Sequence, residues 1–132
     1  MSGWRIRVWG SSMFPSVRPG DVVTIEDGNT PLVPGDIVLY IREDRLWLHR
    51  VVRFECGRPV TRGDALPEAD GPLAPGEVLG RVTRIERGPS GFSPRRKPPW
   101  AERVVAALCR RSDRFHRLCV FVWALRLKRG RV

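Results

Sequence analysis

Three turns that share one pattern constrain the fold of this chain more than any other feature of its sequence. Each turn places a proline and a glycine before an acidic residue, and an apolar stretch follows directly. The turns are Pro19-Gly20-Asp21, Pro34-Gly35-Asp36 and Pro75-Gly76-Glu77. Proline presets the first turn dihedral and glycine accepts a positive φ at the next position. We therefore predict that each turn leads into a β-strand.

The first 87 residues carry further strand patterns and no convincing helix. Bulky apolar and basic residues alternate from Trp4 to Trp9, which is typical of a strand with one buried face. Apolar strand patterns also cover residues 46–54 and 80–86. With six or seven short strands in this region, we predict a mainly β fold with a rolled or barrel-like antiparallel sheet.

Charge is distributed unevenly along the chain. Residues 1–92 contain 12 basic and 12 acidic residues, whereas residues 93–132 contain 12 basic and 2 acidic residues. The C-terminal part therefore carries the whole formal charge of +10. Such an asymmetry indicates that the tail, rather than the body, engages an anionic partner, although a solvated tail is the simpler interpretation.

The domain organisation follows from this change in composition. Residues 1–87 are predicted to form the β core, and residues 88–99 a linker rich in proline, glycine and basic residues. Apolar residues recur at helical spacing in residues 100–132, which predicts one long or two shorter basic amphipathic helices. Ser112 and Asp113 are the expected cap of a second helix.

Composition also excludes several classes of protein. The chain of 132 residues is 42% hydrophobic, which fits one globular domain and not a disordered chain. No apolar run approaches the ~20 residues of a membrane-spanning helix, and the N-terminus lacks the apolar segment of a secretory signal. The three cysteines have no regular spacing, so we expect neither a disulfide framework nor a metal site, and no cofactor.

Ser12 and His49 could together support nucleophilic chemistry. Ser12 follows a predicted strand and Gly10, where a tight turn could expose its hydroxyl group and the neighbouring amides. His49 shares a strand face with Trp47 and is the plausible base for the serine. A carboxylate would then orient the imidazole, and residues 61–70 supply candidates. Each of these residues, taken alone, is more often structural.

The order and spacing of these residues resemble those of the signal peptidase I family. Residues 10–21 are similar to the family box in which a serine before methionine is the nucleophile, and residues 34–38 resemble the next box. Residues 49–52, His-Arg-Val-Val, resemble the segment of the archaeal and endoplasmic-reticulum branch, where histidine replaces the lysine base. Residues 61–64 together with Asp70 resemble the Gly-Asp segment and the aspartate that follows it.

This resemblance implies a serine endopeptidase that cleaves a precursor protein or peptide, such as a leader or signal peptide, after small residues. It implies Ser12 as nucleophile, with its backbone N–H in the oxyanion hole, and His49 as general base. Asp70 matches the aspartate that orients the histidine, and Asp64 matches the more often structural Gly-Asp residue. The two aspartates could exchange roles. An extended substrate could add as a strand along residues 4–9.

The chain departs from the family pattern before Ser12, where only 11 residues precede the nucleophile and leave no room for the usual membrane helix. We therefore expect a minimal catalytic core of this family without the N-terminal membrane helix. We expect the protein to be located in the cytoplasm. Residues 100–128 are the candidate for peripheral contact with an anionic membrane surface. Packing of this tail on the β core, or on a second copy, is the competing interpretation. His116 in the tail is interpreted as a helix-surface residue.

Two other functions stay open. A self-cleaving serine domain of the SOS-repressor type shares the fold of this clan, but it uses a lysine base, and residues 38–54 contain no lysine. A catalytically inactive β domain whose basic tail binds membrane or nucleic acid belongs to a different class. Nucleic acid is the less expected partner because the aliphatic tail offers poor stacking platforms.

Overall fold

Seven strands and two C-terminal helices make up the part of the chain that the computed structural model describes, residues 3–27 and 31–129. The elements are β1 (Gly3–Arg7), β2 (Val22–Glu26), β3 (Ile37–Arg42), β4 (Arg45–Glu55), β5 (Arg58–Arg62), β6 (Val78–Arg87), β7 (Ser90–Phe92), α1 (Trp100–Arg111) and α2 (Asp113–Arg129). The predicted mainly β region followed by helices is confirmed. The last three residues of the predicted tail, 130–132, lie outside the described residues.

The strands form one antiparallel sheet in the order β1-β2-β6-β3-β4-β5, and the short β7 pairs with β6. The outer strands β1 and β5 do not pair with each other in the described residues, so the sheet is open rather than a closed barrel. β6 lies between β2 and β3 and so joins the N-terminal strands to the β3–β4–β5 meander. β1 is consequently an edge strand.

β3 is buried on both of its faces and forms the centre of the core. Ile37 and Leu39 point to one side, where they pack with residues from β2, β6 and the loop after β1. Val38 and Tyr40 point to the other side, where a second cluster contains Val51. An apolar run without alternation is what a strand needs when both of its faces are covered.

The three Pro-Gly-acid turns are closed by their acidic side chains. In each turn, the backbone N–H of the residue before proline donates to the carboxylate of the acidic residue. The backbone N–H of the acidic residue donates in return to the backbone carbonyl of the residue before proline. The carboxylate bonds join Arg18 to Asp21 at 2.8 Å, Val33 to Asp36 at 2.9 Å and Ala74 to Glu77 at 2.7 Å. Each turn leads directly into a strand, as predicted, since β2, β3 and β6 begin at the residue after the acidic one.

The predicted positive φ is present in two of these turns and absent from the third. Gly20 and Gly35 have φ values of 96° and 101°, and a Cβ at Gly35 would lie 2.6 Å from the Cβ of Arg96. The prediction is wrong for Gly76, which does not have a positive φ. A type I turn explains this difference, since it is closed by the same backbone bond while both central φ values stay negative.

The two helices pack against the β body at the loop after β1. Phe14 and Ala65 form a buried cluster with Cys109 of α1, and apolar residues of α2, including Trp123, cover it. The indole Nε1–H of Trp123 donates to the carbonyl of Pro19 at 2.8 Å. Ser112 caps α2, as predicted, because its hydroxyl accepts the backbone N–H of Phe115 at 3.2 Å.

Neither helix of the described residues is long and apolar enough to cross a membrane.

The ion pair between Arg42 and Glu77 makes the fold sensitive to acid. The Arg42 guanidinium donates to both oxygens of Glu77 at 3.0 Å and lowers the pKa of this carboxyl to about 2. The pKa in the folded state lies below the ordinary value of 4.5, so the pair stabilises the fold at neutral pH. This contribution is lost as the pH falls from about 4.5 to about 2.

We predict that Arg42→Met raises the pKa of Glu77 towards its ordinary value, because the carboxylate then loses its two charge-assisted hydrogen bonds. The measurement is an NMR titration of the side-chain carboxyl carbons. Arg53→Met is the matched control, since Arg53 pairs with Glu55 at the surface. An unchanged titration of Glu77 in the Arg42 variant would contradict the assignment.

Candidate active site

Ser12 lies in the loop between β1 and β2, with its hydroxyl group at the surface of the β body. The next residue, Met13, is 2% exposed and inserts into the main core cluster together with Val17. These two buried side chains anchor the loop on either side of a short turn. The Oγ of Ser12 lies 3.1 Å from the Nε2 of His49.

The segment after β5 supports the Ser12 loop through its backbone. The N–H of Ala65 donates to the carbonyl of Ser12 at 2.9 Å. Gly63 passes so close that a Cβ there would lie 2.7 Å from the same carbonyl oxygen. Any side chain at this position would therefore displace the loop that carries the serine. The Ser12 loop and the segment after β5 are thus positioned by each other.

His49 lies on β4, opposite Val38 of β3, and its side chain is 1% exposed. Trp47 lies two residues earlier on the same strand face, and the two ring centroids are 5.8 Å apart. The predicted aromatic neighbour of the imidazole is confirmed. The Nδ1 of His49 lies 2.7 Å from the Oδ2 of Asp70. The imidazole is thus held between a hydroxyl group and a carboxylate.

Asp70 receives three hydrogen bonds on one oxygen. Besides His49, the hydroxyl groups of Tyr40 and Thr61 donate to Oδ2 at 2.8 and 2.7 Å. The backbone N–H of Asp70 also donates to the carbonyl of Thr61 at 2.7 Å, which holds the aspartate beside β5. Burial alone would raise the pKa of Asp70, but the bonds from His49 and Thr61 hold it below its ordinary value.

The direction of these bonds defines the protonation of the site. Burial raises the pKa of Tyr40, so its phenol stays protonated and donates to Asp70. The ionised carboxylate accepts the Nδ1–H of His49, which leaves the Nε2 lone pair facing the hydroxyl group of Ser12. A serine, a histidine base and an orienting carboxylate in this geometry can perform acyl transfer.

The backbone N–H of Ser12 makes no hydrogen bond within the described residues. It is therefore free to donate to an oxyanion that forms beside the hydroxyl group, the role that the family resemblance implies for this amide. Among the described residues, no group of three or more His, Cys, Asp or Glu side chains is placed to hold a metal ion.

Asp64 does not contact His49 and instead neutralises a buried arginine. The guanidinium of Arg50 donates to its carboxylate from Nε and Nη2, both at 2.9 Å. The third nitrogen of Arg50 donates to the carbonyls of Gly35 and Arg95 at 2.9 and 2.7 Å. Of the four residues predicted for the site, the structure brings Ser12, His49 and Asp70 together and places Asp64 in this ion pair.

His116 reaches the site from α2, so its interpretation as a simple helix-surface residue is wrong. Its Nε2–H donates to the carbonyl of Ser11 at 2.9 Å, next to the candidate nucleophile. His116 also lines, with Ser12 and Trp47, a cleft of about 560 Å³. The signal that could have found it is helical spacing, because His116 precedes Cys119 and Trp123 by three and seven residues on the inward face.

We predict that Asp64→Asn lowers the free energy of unfolding by about 3 kcal/mol, because it leaves the buried charge of Arg50 without a counterion. The side chains of this pair are only 8% and 12% exposed. Urea unfolding followed by circular dichroism measures the change. Asp113→Asn, in an exposed pair with Arg117, is the control and costs below about 0.5 kcal/mol. Equal losses for both variants would contradict the prediction.

Comparison with known proteins identifies one family. Residues 4–60 match the family model described as Peptidase S24-like, and the matched segment contains Ser12 and His49 but ends before Asp70. Neither the curated proteins nor the solved structures give a match to this chain. The match covers less than half of the chain, and over that segment it supports a similarity to the S24/S26 peptidase superfamily, with a serine peptidase-type fold.

Proposed function

We propose that this protein is a serine endopeptidase of the signal-peptidase type that cleaves a precursor protein or peptide after small residues. The observation that carries the proposal is the continuous chain of hydrogen bonds from Ser12 through His49 to Asp70, at 3.1 and 2.7 Å. A histidine between the hydroxyl group and the carboxylate fits the histidine-type branch of signal peptidases. The S24-like match is consistent with peptidase activity in general.

In the first step, the Oγ of Ser12 attacks the carbonyl carbon of the scissile peptide bond while its proton passes to the Nε2 of His49. The oxyanion that forms accepts a hydrogen bond from the backbone N–H of Ser12. His49 then gives the proton to the leaving amine, the C–N bond breaks, and an ester remains on Ser12. Asp70 stabilises the imidazolium and keeps its ring in place.

In the second step, water attacks the ester carbonyl and loses its proton to His49. The tetrahedral intermediate collapses, His49 returns the proton to the Oγ of Ser12, and the new carboxyl terminus leaves. Tyr40 and Thr61 hold Asp70 in position, because their hydroxyl groups donate hydrogen bonds to the carboxylate oxygen that faces His49. They are positioning residues that support the ionised form of the aspartate.

The edge of the sheet provides a place for an extended substrate. β1 pairs only with β2 in the described residues, which leaves its other edge free to accept a further strand just before Ser12. The cleft beside it is lined mainly by large apolar side chains, among them Trp9, Trp47 and Leu66. Large side chains close to the nucleophile favour small substrate residues at the scissile bond.

The test is intact-mass spectrometry of an extended peptide library, with small residues at varied positions, incubated with wild type and three variants. We expect wild type to cleave and Ser12→Ala to be inactive. Asp70→Asn should slow cleavage by a factor on the order of 10⁴, because an amide cannot hold the required tautomer of His49.

Ser11→Ala is the matched control, because it removes the neighbouring hydroxyl group and leaves the Ser11 carbonyl that binds His116. We expect it to cleave like wild type. Equal turnover by wild type and Ser12→Ala would refute the proposal, and so would full activity of Asp70→Asn.

We predict that His116→Phe slows acylation of Ser12 about tenfold, because one hydrogen bond that positions the nucleophile loop is lost. The measurement is the rate at which a fluorophosphonate modifies Ser12, which needs no knowledge of the substrate. His116→Gln keeps an N–H donor and should recover most of the rate. A parallel fall in both variants, with unchanged unfolding free energy, would contradict a role through the Ser11 carbonyl.

A further inference from the structure

α2 carries two apolar rows on neighbouring sides, and only one of them is covered by the β body. The inward side packs through Phe115, Cys119 and Trp123. The outward side carries a second apolar row at the helical spacing i, i+3, i+4 and i+7. This outward stripe consists of Leu118, Phe121, Val122 and Leu125, which are 57%, 61%, 44% and 43% exposed. A contiguous exposed row of this kind marks an interaction surface.

α1 carries a similar exposed row on its own surface. Trp100, Val104 and Leu108 recur at intervals of four residues and are 72%, 48% and 44% exposed. The opposite side of α1 is buried through Ala106 and Cys109. Both helices therefore hold the β body with one face and leave a second apolar face in solvent.

The charges around the outward stripe are mostly positive. α2 contains five basic residues and the single acidic residue Asp113, which gives a net charge of +4. On a helical wheel, Arg117 and Lys128 lie on the flank of the stripe beside Phe121, and Arg114 and Arg129 lie in line with the stripe at its N-terminal and C-terminal ends. These four side chains form a basic rim. Long basic side chains beside an apolar row are typical of helices that lie in the interface of a bilayer.

We propose that the outward stripe of α2 docks on the surface of an anionic phospholipid bilayer, with the helix lying in the plane of the interface. The four apolar side chains enter the boundary between head groups and acyl chains, while the basic rim binds the phosphate groups. A second copy fits this surface less well, because pairing two stripes would bring two sets of like charges together. Nucleic acid would leave the central apolar row without a matching partner.

Docking of α2 would also bring the candidate active site close to the bilayer. His116 lies five residues before Phe121, about 7.5 Å along the helix axis, and contacts Ser11 from the inward side. Lipid and the Ser12 loop would then bind opposite sides of one helix. The docking surface itself is independent of the proposed peptidase activity, and it can be tested without a substrate.

The experiment is sedimentation of the full chain with vesicles of phosphatidylcholine alone and of an equimolar mixture with phosphatidylglycerol. Two double variants test the two parts of the surface. Leu118→Ser with Phe121→Ser removes the centre of the stripe, and Arg114→Gln with Arg117→Gln removes part of its rim. Phe54→Ser, an exposed apolar residue of β4, is the control. Circular dichroism verifies that each variant keeps its helices.

We expect wild type and Phe54→Ser to bind the mixed vesicles, with weaker binding at high salt, and to bind phosphatidylcholine little. The apolar double variant should bind at least tenfold more weakly, and each lost arginine should weaken binding about fivefold. Equal binding by wild type and the apolar double variant, or no binding of wild type to mixed vesicles, would overturn the proposal. So would analytical ultracentrifugation that shows a dimer lost in the same variant.

Discussion

One carboxylate oxygen ties together the three strands that carry the candidate site. Tyr40 of β3, His49 of β4 and Thr61 of β5 all donate to the Oδ2 of Asp70. Because these strands are neighbours in the sheet, a loop residue can accept from all three only if the sheet keeps its register. The tautomer of His49, and with it the lone pair that faces Ser12, therefore depends on the packing of the meander.

The other acidic residues that attract attention in the sequence stabilise the scaffold. The acidic residues of the three turns each close their turn, and each also binds an arginine from a distant part of the chain. Asp64 likewise forms an ion pair, with the buried Arg50. The remaining nitrogen of Arg50 donates to the backbone carbonyls of Gly35 and Arg95. These ion pairs connect the turns to distant parts of the chain, and removing one partner of a buried pair leaves an uncompensated charge.

The helical tail joins the Ser12 loop to a surface that faces solvent. Its inward side packs on Phe14 and Ala65 and reaches Ser11 through His116. This contact agrees with the interpretation that the basic tail packs on the β core. The outward stripe on the same helix also permits the interpretation that the tail contacts an anionic membrane. A helix of 17 residues with two apolar rows can pack one row on the body and expose the other to lipid. The two interpretations of the tail are therefore compatible.

The sequence by itself determined most of the strands before residue 87, the turns that lead into them and the helical character of the basic tail, because turn residues, alternation and helical spacing act over a few neighbouring positions. The pairing of Ser12 with His49 was implied by the order of the family motifs, and the structure places the two side chains 3.1 Å apart. The division of the tail into α1 and α2 was decided only by the structure. Only the tertiary structure decided that Asp70 rather than Asp64 faces His49. The two aspartates lie in one loop, and the bond from the Asp70 N–H to Thr61 sets the path of that loop. The open sheet and the contact of His116 with Ser11 likewise depend on contacts between residues far apart in the chain. A local sequence pattern cannot predict such contacts.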